Sequence, residues 1–126
     1  MIALLIALAL STATPQLYGN CRITFYCPCS SCCGEWAWGA TASGVMPTAN
    51  HTVAADLPFG TRLLIDGEEY VVEDRGVSGM CVDIFVDSHE EALRRGLYYT
   101  DVYIMEDMTD DKSKSFKEFL QEILRC

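Results

Sequence analysis

Between Cys21 and Met105, short β-forming runs are cut apart at close intervals by turn residues, and this punctuation limits the fold more than any other feature. Cys21–Cys27 alternates and reads as a strand. His51–Ala55, Thr61–Ile65, Glu69–Glu73, Cys81–Val86 and Tyr98–Met105 follow as further strands. Pro58-Phe59-Gly60 marks a turn, and Asp66-Gly67 between two apolar runs is a strong hairpin signal, because both positions tolerate positive φ. Ser88 and Glu91 have capping-box spacing and Gly96 lies beyond them, so a short helix is predicted between. Pro28–Asn50 holds Gly34, Gly39, Gly44 and Pro47 with no helical period, and reads as a long loop, usually a functional feature in a compact domain. The expectation is a mainly β fold: a small six-stranded barrel or similar closed sheet with one short helix.

The two ends differ from this body. Met1–Leu10 is an apolar run, about half the roughly 20 residues a bilayer span needs. With small residues at Ser11 and Ala13, residues 1–13 read as a signal peptide, the alternative being a buried first element. Residues 106–126 read as a polar linker followed by an amphipathic C-terminal helix. Its Phe116, Phe119, Leu120, Ile123 and Leu124 recur at helical spacing. That helix is expected to dock on the barrel, with a partner-binding or membrane-surface role as the alternative. The 126 residues carry a net charge of −9. Residues 1–104 hold 12 acidic and 5 basic side chains, so the body carries most of the excess, which argues against nucleic acid as a ligand.

Seven cysteines sit at 21, 27, 29, 32, 33, 81 and 126. In an exported small domain they read first as a disulfide framework with one thiol over. The run Cys27-Pro-Cys29-Ser-Ser-Cys32-Cys33 could instead hold zinc, but four thiols in seven residues, with no second knuckle or His pair, match the usual spacing poorly. No metal and no cofactor are therefore expected. His51 and His89 lack an evident partner in sequence, and His89 is expected to face solvent. Tyr26, Trp36 and Trp38 could stack on sugar rings, although packing is the preferred reading.

Three aspartates stand where strands meet turns: Asp56, Asp74 and Asp83. Alternation puts Val82, Ile84 and Val86 on one face of their strand and Asp83 on the other. A carboxyl in a partly apolar groove beside other carboxylates has its pKa raised, as a general acid near neutral pH requires. Three unrelated turn aspartates would give the same pattern.

Read in order, Tyr26-Cys-Pro-Cys, Cys32-Cys-Gly34, Thr41-Ala-Ser-Gly44, Thr52-Val-Ala54, Pro58-Phe-Gly-Thr61, Glu73-Asp-Arg-Gly76, Val82-Asp-Ile-Phe85, His89-Glu-Glu-Ala-Leu93, Gly96 and Asp101-Val-Tyr-Ile104 resemble the 3D, or three-aspartate, domain. That domain occurs in stationary-phase survival proteins, resuscitation-promoting factors and the membrane-bound lytic transglycosylase A group. The resemblance covers residues 23–105 of a domain placed at 21–105. It implies a double-psi β-barrel and cleavage of the β-1,4 bond between N-acetylmuramic acid and N-acetylglucosamine in peptidoglycan. It further implies that Asp83 acts as general acid and then as base, that Asp74 tunes and orients it, and that Asp56 binds substrate or supports the groove. Thr41, Ser43 and Gly44 match a segment that lines the groove in that family, with substrate contact and simple turn chemistry as the alternatives, and Arg75, locally distinctive, is a further candidate for substrate contact. Two departures bear on this. The Pro58 turn follows Asp56 more closely than in the family, which leaves open whether Asp56 reaches the site. The stretch between Asp74 and Asp83 is shortened, so the sugar-contacting loop must differ.

The leading expectation is a secreted, cell wall-associated lytic transglycosylase from a bacterium or phage. It would act as a monomer on peptidoglycan glycan strands, without a stable membrane span. The rivals are a non-catalytic polysaccharide-binding barrel and a zinc-stabilised structural domain.

Overall fold

The computed structural model describes residues 13–107. The signal-like run up to residue 12 and the predicted C-terminal helix lie outside the described residues. Six strands form the body: β1 (Ala13–Tyr26), β2 (Thr52–Ala54), β3 (Arg62–Ile65), β4 (Glu68–Asp74), β5 (Cys81–Phe85) and β6 (Tyr98–Asp107). They close into a mixed barrel in the order β1-β5-β2-β4-β3-β6. The β1/β5 and β2/β4 pairs are parallel and the others antiparallel. This closed mixed barrel is consistent with the expected small double-psi barrel.

Closure leaves no free sheet edge, and the inward alternation of every strand feeds one core. Ile23, Val53, Leu63, Ile65, Tyr70, Val72, Val82, Ile84, Val102 and Ile104 meet there. Both predicted turn devices form. Asp66 and Gly67 have φ of 51° and 81°, as a two-residue hairpin of the β3–β4 type requires. The helix α2 (His89–Arg95) is capped by Ser88, whose Oγ accepts from the Glu91 N–H at 3.1 Å, and ends at Gly96.

Three expectations are corrected. β1 begins at Ala13 rather than Cys21, because its first half pairs with β6; Thr14–Leu17 is exposed, so the backbone ladder rather than burial holds it. Glu106 and Asp107, read as linker, extend β6 for the same reason. The loop after β1 is not wholly irregular: it contains a single turn of helix, α1 (Ser30–Cys33), and a 3-10 turn at Gly34–Trp36. Such short turns bury no residue and so leave no periodicity to read.

One irregularity positions the site. The parallel pairing of β2 with β4 runs Thr52↔Val71 and Val53↔Val72, then slips to Ala54↔Asp74. The slip is a bulge that leaves Glu73 unpaired in the register. Tyr70 and Val72 point into the core, and strict alternation would send Asp74 after them. The extra residue turns Asp74 to the outer face instead. Thr52, fully buried, anchors the bulge: its hydroxyl donates to Glu73 Oε1 at 2.7 Å and accepts from the Thr48 N–H at 2.9 Å. Thr52→Val removes both bonds and strands a half-buried carboxylate. It is expected to lower the unfolding free energy by about 1–3 kcal/mol, measured by denaturant titration.

Candidate active site

The outer faces of β1, β5, β2 and β4 share a groove of about 660 Å³, roofed by the loop that follows β1. Asp74, Asp83, Tyr26, Thr41, Trp36 and Trp38 are among its lining residues. Ala54 pairs with Asp83 of β5 on one side and with Asp74 of β4 on the other. The two aspartates are therefore two strands apart, about 10 Å between Cα atoms, with only a methyl side chain between them. The structure brings these two of the three sequence-predicted aspartates into one groove.

Asp83 is half-buried, and its neighbours on β5 explain why. Val82 and Ile84 face the core while Asp83 faces the groove, as alternation predicted. Burial raises its pKa above the ordinary carboxylate value, and the nearby negative charge of Asp74 raises it further. The Thr24 hydroxyl, directly across β1 in register with Asp83, donates to Oδ1 at 2.9 Å and works the other way, as does the charge of Arg22. Burial is the largest influence, so the balance is upward.

Asp74 is held differently. Oδ2 accepts from the Tyr26 hydroxyl at 2.7 Å, and Oδ1 accepts from the N–H groups of Ala42 at 3.0 Å and Arg75 at 2.9 Å. Three donors converge on it, so its charge is fixed in place beside Asp83. Tyr26 in turn packs edge-on to Phe85, with ring centroids 5.4 Å apart, and burial together with the Asp74 bond pushes its hydroxyl pKa upward.

Asp56 does not join this pair. It is absent from the groove lining, and its charge is felt by Tyr18, whose phenol packs against the main core. Thr41 lines the groove, but its hydroxyl is committed to Val45 O at 2.9 Å and to the Ser43 hydroxyl at 3.0 Å. Ser43 and Gly44 are not in the lining. They build the turn that aims the Ala42 N–H at Asp74, with Gly44 at φ 94°. Arg75 does border the groove, but Nη1 donates to the carbonyls of Ala55 and Asp74, each at 3.2 Å, and its guanidinium lies 3.9 Å over the Phe59 ring.

The structure corrects two readings of the loop. Trp36 and Trp38 are 74% and 70% exposed and stand on the groove lip, so they are not packing residues. The six described cysteines are free thiols, so a disulfide framework is not formed among them. Thr24 was missed altogether. Only the β1/β5 register reveals it, and that pairing spans 59 residues.

No protein-family model matches the chain, and no curated protein matches it. Among solved structures it is similar to MltA from Escherichia coli, described as having a unique lytic transglycosylase fold. That likeness has 25% identity over 56% of this chain and 28% of that one, with a TM-score of 0.48. A second crystal structure of MltA aligns at 25% identity over 54% and 27% of the two chains, with a TM-score of 0.47. A variant of the same E. coli lytic transglycosylase in an apo form aligns at 24% over 56% and 28%, also at 0.48. The chain thus spans under a third of the length of these solved chains, and at TM-scores below 0.5 the likeness carries no weight for function.

Because the folded state holds the Asp83 proton more tightly than the unfolded chain, ionising Asp83 costs stability. The sign follows from linkage: stability contributed by the neutral form is complete below about pH 4 and is lost as pH rises through the raised folded-state pKa. Asp83→Asn, which stays neutral, is therefore expected to be more stable than the parent chain at pH 7. That advantage should shrink at acid pH, as read from thermal unfolding across pH.

Proposed function

We propose that this chain is a lytic transglycosylase-type enzyme that cleaves the β-1,4 bond between N-acetylmuramic acid and N-acetylglucosamine in peptidoglycan. The observation that carries the reading is a carboxyl group with a raised pKa, held in an open groove beside a second carboxylate fixed by three donors. The motif resemblance set out above points to the same pair.

In this reading Asp83 enters protonated and gives its proton to the glycosidic oxygen as the bond to the muramoyl C1 breaks. The resulting carboxylate accepts the proton of the muramoyl C6 hydroxyl while that oxygen bonds to C1. A 1,6-anhydro sugar forms, no water is consumed and Asp83 ends protonated. An ordinary glycosidase needs two carboxylates set to serve water. One dominant acid and one carboxylate held by three donors suits intramolecular attack better. Asp74 is a positioning residue whose charge keeps the Asp83 proton in place. Trp36 and Trp38 offer ring faces to sugars at the lip, and Thr41 and Arg75 shape the groove wall. Ser43 and Gly44 act through the turn that holds Asp74, and Asp56, outside the groove lining, takes no part in the reaction. The enzyme would work at the cell wall as a monomer. A non-cutting polysaccharide binder would use the same tryptophans but has no need of the raised carboxyl.

Digestion of purified peptidoglycan with mass analysis of the products tests this. Anhydro-muropeptides are expected from the parent chain, with Asp83→Asn slower by at least about 100-fold. Thr24→Val removes a donor that favours the anion, so the alkaline fall in kcat/KM should move to higher pH. Wall binding without any product release would instead identify a binder.

A further inference from the structure

Away from the carboxylates, Cys27, Cys29 and Cys32 converge on a histidine far along the chain. The Sγ atoms of Cys29 and Cys32 lie 3.0 and 3.4 Å from that of Cys27. His89 Nδ1 lies 3.8, 3.6 and 3.4 Å from Cys27, Cys29 and Cys32. All four donor atoms fall within 4.8 Å of one another. The sulfurs are too far apart for a bond of about 2.05 Å. Tetrahedral zinc, with bonds of about 2.3 Å to sulfur and 2.0–2.1 Å to nitrogen, sets its ligands about 3.5–3.8 Å apart, close to most of these separations.

We propose that Cys27, Cys29, Cys32 and His89 form a structural zinc site. Three soft thiolates and one imidazole are a closed four-ligand set that favours zinc over magnesium or calcium. With the three cysteines bound as thiolates and the imidazole neutral, the centre would carry a net charge of −1. The backbone is already shaped for it. The N–H groups of Cys32 and Cys33 both donate to Cys29 O, at 3.1 and 2.9 Å, curling α1 around the thiols. His89 opens α2, and Cys27 packs with Val86 and Ala92 in a second apolar cluster beneath. Cys33 stands outside the set, its Sγ turned to Cys27 O at 3.2 Å.

The site ties the roof of the groove to the barrel. Trp38 N–H donates to Pro28 O at 2.9 Å, so the segment bearing both tryptophans is a closed loop hung from the thiol cluster. Only this consequence for the groove rests on the proposed activity; the metal site itself stands without it.

The test is metal analysis of the full chain, purified under reducing conditions with zinc present, followed by cobalt substitution. One zinc per chain is expected, and cobalt should show thiolate charge-transfer bands with the intense visible bands of tetrahedral coordination. Cys29→Ser, Cys32→Ser and His89→Ala should each weaken metal binding by at least about tenfold. Cys33→Ser should keep the metal and an unchanged cobalt spectrum, and His89→Cys should keep the metal with a shifted one. A folded parent chain without zinc would overturn the proposal. So would a mass lowered by the two hydrogens lost to a disulfide between two of these three cysteines, or equal metal loss in Cys33→Ser and Cys32→Ser. None of these readouts depends on glycan cleavage.

Discussion

The groove depends on a one-residue slip between two parallel strands. Without the bulge at Glu73, Asp74 would follow Tyr70 and Val72 toward the apolar core, where an unpaired carboxylate costs several kcal/mol. With it, Asp74 and Asp83 flank Ala54 on the same outer face. The slip is held by the Thr52–Glu73 bond in a fully buried position, so a core interaction sets the geometry of a surface site. Bulges of this kind re-aim single side chains while leaving the rest of the ladder intact.

From that geometry follows a division of labour between two residues of the same chemical type. Asp74 faces three donors, and Asp83 faces burial, one hydroxyl, the like charge of Asp74 and the opposite charge of Arg22. Placing two carboxyls in such different surroundings is how one fold can assign them acid and positioning roles. In the proposed enzyme, the cost of burying Asp83 supplies the proton-holding that the chemistry needs. The barrel meets this cost because closure gives it a single continuous core.

Much of the fold was legible in the sequence. All six strands, the Asp66-Gly67 turn and the Ser88 cap follow from local patterns with period two or from capping chemistry, and the structure realises them. What was not legible is non-local. The first half of β1 and the end of β6 are strands only because they pair with each other. Thr24 meets Asp83, and His89 meets the thiols, only after distant segments are brought together. Alternation alone could not foresee the bulge that turns Asp74 outward. Trp36 and Trp38 were read as packing because aromatics beside a cysteine-rich loop usually pack, whereas these rings stand exposed at the groove lip. Asp56 was grouped with the other two aspartates on motif order, and the tight turn at Pro58 leaves it outside the groove lining.

Burial and the charge of Asp74 make Asp83 keep its proton above the pH at which an ordinary aspartate loses it, and carboxyl carbon NMR of the labelled chain reads this out. An Asp83 titration above the ordinary value of about 4 is expected, moving upward again in Thr24→Val. A titration at or below about 4, unmoved by loss of the Thr24 hydroxyl, would contradict it and remove the physical basis for a general acid at this position.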